Sequence, residues 1–152
     1  EKTYHVLLQV ESILLKGKEL PDVSPLVDAN FAAEVETFIL TAGHDASKLT
    51  EPVVIDVSKA DDEITTMNGT TRKIRAGDMV MRDRHGVCCT IIYGQDNLSP
   101  ITVETKHVLY VSYAPFGVPS GAVGDQLRQI EQNVRLFAPQ AVVERSRLLA
   151  AS

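Results

Sequence analysis

Two stretches concentrate the side chains that could do chemistry. The first, "TAGHDASKL" at residues 41–49, sets His44 and Asp45 beside Ser47. An imidazole next to a carboxylate and a hydroxyl can form a general-base site for hydrolysis; the same three types also meet in an ordinary loop between a helix and a strand. The second, "YGQDNLSPITVET" at 93–105, gathers Gln95, Asp96, Asn97, Ser99, Thr102, Glu104 and Thr105 between two expected strands. Amides, hydroxyls and carboxylates at this density can hold an amino-acid-like group or position a water for attack. They can equally cap a turn. Cys88 and Cys89 are neighbours in an apolar run, so in a strand they face opposite ways and a disulfide between them would be strained. Small buried hydrophobes are their expected role, with a nucleophilic thiol as the alternative.

Missing motifs narrow the chemistry. There is no Gly-rich phosphate loop, no Gly-x-Ser-x-Gly elbow and no His-Glu-x-x-His pair. No His/Cys spacing suits a metal, so neither a metal nor a cofactor is expected. A net charge of −5 argues against non-specific binding to a polyphosphate over the whole surface. Charge is uneven, however: Arg72, Lys73, Arg75, Arg82 and Arg84 fall within a short span, and Lys16 and Lys18 close the first expected helix. This is either a local patch for a nucleic-acid backbone or a solvated hairpin interleaved with Asp78 and Asp83.

The elements that must position these residues follow from pattern. At 152 residues one domain with a real core is expected. Apolar residues at Tyr4, Leu7, Leu8, Val10 and Leu14 predict a first helix, ended by Gly17 and Pro21. Ser24 as N-cap and Pro25 at the first helical position predict a second over about 26 to 38, with Val27, Phe31, Val35 and Phe38 as its stripe. "PVVIDVS", "AGDMVMRD", "GVCCTIIY" and "HVLYVSY" read as strands, and Asn68-Gly69 as a tight hairpin turn. Val123, Leu127, Ile130, Val134 and Phe137 recur at helical spacing up to Pro139. Residues from Gln140 on are a short amphipathic tail or a last helix. Helices, then strands, then a helix make an α+β fold, helices packed on a largely antiparallel sheet. No run is long enough to span a bilayer and no signal-like segment is visible, so a cytoplasmic protein without a membrane partner is expected. The absence of an initiator Met leads to the expectation that elements preceding Glu1 are missing.

A resemblance adds to this. "LLKGKELPDVSPLVDANFAAEVETFILTAGHDASKL", "MNGTTRKIRAGDMVMRDRHGVCC" and "SPITVETKHVLYV", in this order, resemble the B3/B4 domain of the phenylalanyl-tRNA synthetase beta subunit, and still more its free-standing relatives, over about residues 8 to 113. In the synthetase this domain is an editing module that removes tyrosine wrongly attached to tRNA. The resemblance places Glu36 on the helix glutamate of that pattern and aligns Asp45, Lys48 and Leu49 with its "HAFDLDKL" segment. The editing-pocket histidine falls on Ala42, so His44 takes the aromatic position; the asparagine after "VD" becomes Phe31, with Asn30 adjoining. Free-standing relatives commonly carry a small residue in place of that histidine.

The resemblance thus implies a trans-editing hydrolase acting on mischarged aminoacyl-tRNA. Asp96, Asn97 and Glu104 would be its catalytic candidates, and Glu36, His44, Asp45, Gln95, Ser99 and Thr102 would bind substrate. Partners would be tRNA or aminoacyl-tRNA and an amino acid or amino-acid-like ligand. Two alternatives stay open: a non-catalytic amino-acid- or tRNA-binding module, and a fold reused for small-molecule metabolism. The sequence leaves the oligomeric state undecided.

Overall fold

A computed structural model describes residues 5–16 and 24–150. The chain forms two compact units, a helical one up to Thr41 and again from Ser112 onward, and a strand-rich one from Ala42 to Val111.

The helical unit holds α1 (His5–Lys16), α2 (Pro25–Thr37) and α3 (Ser120–Phe137). Gly17 and Pro21, expected to end α1, lie outside the described residues. Helix α2 starts as the sequence implies: Ser24 is extended and its hydroxyl accepts from the Leu26 N–H at 3.3 Å, with Pro25 in the first turn. Its end is marked by Phe38, a left-handed residue at φ 56° whose N–H returns to the Glu34 carbonyl.

The buried face of α2 is not the expected stripe. Ala29, Asn30, Ala33 and Glu34 are buried, whereas Val27, Phe31 and Val35 are half-buried and Phe38 is 55% exposed. Helix α2 packs on α3, and alanine lets two helices approach where bulkier side chains would hold them apart. The buried polar pair is satisfied locally. Asn30 donates to the Thr41 hydroxyl at 2.8 Å, and Glu34 accepts from the Thr41 N–H at 2.7 Å and its hydroxyl at 3.1 Å.

Helix α3 ends before Pro139 and buries Val123, Ile130 and Val134 of its expected stripe, while Leu127 is half-buried and Phe137, in the last turn, is exposed. Gln126 sits wholly buried among them, donating to the Thr37 hydroxyl and the Ile39 carbonyl, both at 2.7 Å. Beyond Pro139 no last helix forms through residue 150, and Val142 and Leu149 stand exposed.

Strand β1 (Leu40–Asp45) is buried throughout and pairs with β8 (Val108–Tyr113). Sequence pattern did not mark β1, because Thr, Ala and Gly show no apolar alternation when both faces are covered. An antiparallel sheet runs in the order β2 (Val54–Val57), β5 (Met79–Arg82), β6 (Val87–Thr90), β7 (Gly94–Gln95). Residues 91–93 turn where the apolar run suggested continued strand, the Tyr93 N–H being caught by the Thr90 hydroxyl at 2.8 Å.

Strands β3 (Glu63–Thr65) and β4 (Thr71–Lys73) form the hairpin. Its loop is longer than the two-residue turn expected. The Gly69 N–H bonds to the Thr66 carbonyl and the Thr66 N–H to the Thr70 carbonyl, and only Gly69 of the Asn-Gly pair has positive φ, at 80°. That is a turn closed by a glycine bulge. Ile64, Ile74, Val80 and Val87 form the core of this unit, with Tyr93 packed against them. The α+β expectation with antiparallel strands holds. Among the described residues no helix is long and apolar enough to cross a membrane.

Candidate functional site

The two polar stretches singled out by sequence meet in the strand-rich unit. β1 carries the first and the loop after β7 carries the second. The Asp45 N–H donates to the Ser99 carbonyl at 3.0 Å, and the Gln95 side-chain amide donates to the same oxygen at 3.0 Å. Asp45 accepts from the Thr105 hydroxyl at 2.9 Å and from the Ser47 N–H and hydroxyl at 3.0 and 2.5 Å. The Ser47 hydroxyl, helped by Thr105, the Ser47 amide and Lys48, outweighs burial and holds the Asp45 carboxyl below the usual carboxylate range. The Thr105 hydroxyl also accepts from the Thr102 N–H at 2.9 Å, which fixes the far end of the loop.

Ser99 is the centre of the arrangement. Its side chain is 1% exposed and its hydroxyl donates to Asp96 at 2.7 Å, while His44 Nδ1 lies 2.8 Å away on the other side. A hydroxyl has one proton; given to Asp96, it leaves the Ser99 oxygen to accept from Nδ1–H. His44 is wholly buried, and burial lowers its pKa to about 4, so the ring is neutral at pH 7. Its Nε2 has no hydrogen-bond partner among the described residues. A hydrolytic triad needs the imidazole between serine and carboxylate. Here the serine stands in the middle and is almost wholly buried, so the order is wrong for a serine nucleophile.

Beside this network lies a cleft of about 480 Å³. Its walls include Asp96, Asn97 and Ser99 from the loop, Lys48 from the 3-10 turn after β1, Glu63 and Thr65 from β3, and Asp83, His85 and Cys88. The Asp96 N–H is held by the Cys88 carbonyl at 2.8 Å and the Asn97 N–H by the Thr65 carbonyl at 3.0 Å, so the sheet and hairpin set the loop's position. Burial raises the Asp96 carboxyl above the ordinary carboxylate range, although the Ser99 hydroxyl and amide pull it down. Burial would raise Asp83 too, but the N–H groups of Thr50, His85 and Gly86 bond to it and hold it low. The Cys88 thiol is pushed up to about 12 by burial, with Asp83 and Asp96 adding to it. It is therefore protonated at neutral pH and a poor nucleophile.

The expected site residues divide accordingly. Asp96, Asn97 and Ser99 line the cleft, and His44, Asp45 and Gln95 brace the loop from behind. Thr102 accepts from the Glu104 N–H at 3.3 Å, and the Glu104 side chain is exposed away from the lining. Glu36 belongs to the helical unit, where its exposed carboxylate accepts from Gln129. Glu63, Asp83 and His85 were not anticipated as site residues; they come from other strands and turns, and no local spacing ties them to the loop. Among the described residues no group of His, Cys, Asp or Glu is placed to hold a metal ion.

Comparison with known proteins places the chain in a family. It is 25% identical over 135 residues to the phenylalanine–tRNA ligase beta subunits of two Haemophilus influenzae strains, ATCC 51907 / DSM 11121 / KW20 / Rd and 86-028NP. The match covers 84% of this chain but 17% of each relative's length. Residues 3–119, most of the chain, match the B3/4 domain, and this chain therefore belongs to the B3/4 domain family.

Proposed function

We propose that the cleft accepts the aminoacyl group of a mischarged tRNA and that the chain is a trans-editing deacylase. One observation carries this reading: the Asp45 segment and the 95–105 loop are hydrogen-bonded into one frame beside a cleft whose volume suits a small organic group. Similarity to part of a phenylalanine–tRNA ligase beta subunit supports the choice of substrate.

In this mechanism Asp96 orients a water at the ester carbonyl. Its raised pKa makes it a stronger base than an ordinary carboxylate. Water oxygen bonds to the carbonyl carbon while Asp96 takes the proton, and the negative charge collects on the carbonyl oxygen. Asn97 and Lys48 both line the cleft wall; the Asn97 side-chain amide, with the Lys48 ammonium that also donates to the Pro100 carbonyl at 3.2 Å, would supply the donors for that oxyanion. The bond to the ribose oxygen then breaks, the proton returns to that oxygen, and free amino acid and tRNA separate. Ser99, His44 and Gln95 position Asp96 and its loop. Glu104 and Glu36 take no part in these steps.

The test is incubation of the protein with tRNAs mischarged with tyrosine, phenylalanine and other amino acids. Release of amino acid faster than in buffer is expected for at least one. No acceleration across the set would overturn deacylation. A second reading, an amino-acid-binding module, is favoured by the acidic residues on the cleft wall, Glu63 and Asp96, which suit an α-ammonium whether or not an ester is cleaved. Equilibrium dialysis with free amino acids separates the two: saturable binding without ester turnover assigns the module.

A further inference from the structure

We propose that the exposed cations of the β3–β4 hairpin, together with Arg84, form a docking surface for the phosphodiester strand of an RNA whose end enters the cleft. The choice of RNA end rests on the reading of the cleft given above; the phosphate-binding surface rests on the hairpin itself.

The five basic residues grouped in sequence separate in the fold. Arg82 is half-buried and bound to Asp56 at 2.8 Å and Asp62 at 2.6 Å, so its charge is used inside the protein. Asp83, which could have screened its neighbours, instead accepts from the N–H groups of Thr50, His85 and Gly86. Arg72, Lys73, Arg75 and Arg84 remain exposed, and none makes a side-chain hydrogen bond or ion pair among the described residues. The contrast lies on helix α3, where Arg128 and Arg135 are paired with Asp125 and Glu131 within one turn. Glu63 stands directly opposite Lys73 in the hairpin register without forming an ion pair.

Placement relative to the cleft supplies the second part. β3 contributes Glu63, Ile64 and Thr65 to one wall, and β4 runs beside it with Lys73 opposite Glu63 and Arg72 opposite Ile64. Paired strands lie about 4.8 Å apart, so the cations border that wall directly. On the other side Arg84 sits between Asp83 and His85, both cleft-lining, with its N–H held by the Thr50 carbonyl at 3.0 Å. The hairpin is braced against the site loop, since Thr66 bridges to Asp96 and Asn97 bonds to Thr65. From Arg72 to Arg75 an extended chain covers roughly 10 Å, enough for two or three backbone phosphates. With a net charge of −5, the molecule as a whole repels a polyanion, so attraction depends on local groups of unpaired cations such as this one.

The probe is a labelled, uncharged tRNA acceptor-stem minihelix with a single-stranded 3′ end, titrated by fluorescence anisotropy over a range of salt. For single strands each lost phosphate contact lowers the slope of log K against log salt by about 0.7. The triple variant Arg72→Ala, Lys73→Ala, Arg75→Ala is expected to bind at least tenfold more weakly at 0.15 M salt with a slope reduced by about 2. Arg128→Ala with Arg135→Ala is expected to match the parent. Because all three hairpin side chains are exposed, an unchanged thermal midpoint will show that the triple variant folds.

Equal affinity and slope in parent and triple variant, or no minihelix binding by the parent, overturn the proposal. So does tenfold tighter, hairpin-dependent binding to phosphatidylserine vesicles, which would assign the surface to lipid. An aminoacyl ethyl ester, lacking phosphates, separates this from the catalytic reading. Loss of minihelix binding in the triple variant with no deacylation by the parent retains the surface and removes only the chemistry.

Discussion

At neutral pH His44 is an uncharged ring locked behind the site loop, and the proton on Nδ1 is what it contributes. Its folded pKa of about 4 lies below the ordinary histidine value of 6.5, so between these values the unfolded chain binds the extra proton. The stabilisation is fully present above pH 6.5 and is lost as pH falls toward 4, an effect of about 3 kcal/mol. Glu34 and Asp96 are shifted upward by burial and act in the opposite sense, losing stability as pH rises through their raised values. His44→Phe keeps both carboxyls and removes the titratable imidazole. Its urea midpoint should therefore fall less between pH 7 and pH 5 than the parent's; parallel falls would show that His44 is not the acid-labile group.

Ser99→Ala leaves Nδ1–H without its acceptor and Asp96 without two-point bonding, and should cost about 1–3 kcal/mol by denaturant titration. If the deacylase reading holds, Asp96→Asn should lower the turnover of a mischarged tRNA by roughly 10²-fold or more, with binding of uncharged minihelix unchanged. His44, Asp45, Gln95 and Ser99 were recognisable in sequence as polar residues capable of chemistry. Their partition into a buried brace and a cleft wall was not, because burial depends on what other strands bring across.

At the scale of elements, two glycines carry specific geometry. A Cβ on Gly43 of β1 would come within 2.8 Å of Ile101 Cδ1 and 3.2 Å of Tyr110 Cε1. Gly43→Ala should therefore destabilise by about 1–3 kcal/mol through overpacking. Gly69 is different: nothing lies near its missing Cβ, but its φ of 80° disfavours a side chain. Gly69→Ala should cost about 1 kcal/mol through backbone strain, and thermal melts of the two variants would distinguish them by size. Helices α2 and α3 were legible because a cap, a proline and a 3.6-residue period act locally. The face of α2 that is buried was not, since the stripe of larger residues yielded to Ala29 and Ala33 at the contact with α3. β1 escaped notice for the same kind of reason: a strand covered on both sides needs no alternation.

At the scale of the whole molecule, the chain divides its polar residues between two tasks. In the helical unit Asn30, Glu34 and Thr41 bond to one another, and the Gln126 amide donates to the Thr37 hydroxyl and the Ile39 carbonyl. In the strand-rich unit polar residues also line an open cleft, Lys48, Glu63, Asp83, Asp96 and Asn97 among them. A ligand for that cleft should stabilise the fold by linkage. A non-hydrolysable aminoacyl-adenosine analogue at 100 times its Kd should contribute about 2.7 kcal/mol, visible as a raised thermal midpoint that Asp96→Asn reduces.

Composition, local caps and the order of patterned segments determined the α+β class, the positions of α2, α3 and most strands, and the polar loop as the place to look. All of these depend on interactions between residues near one another in the chain. Tertiary structure alone decided that Ser99 joins His44 to Asp96, that Glu63, Asp83 and His85 share a wall with Asn97, and that Arg82 is spent internally while Arg72 and Lys73 face solvent. Those outcomes are set by which distant strands pair and in what register, and pairing across dozens of residues leaves no periodic trace in the sequence of either strand.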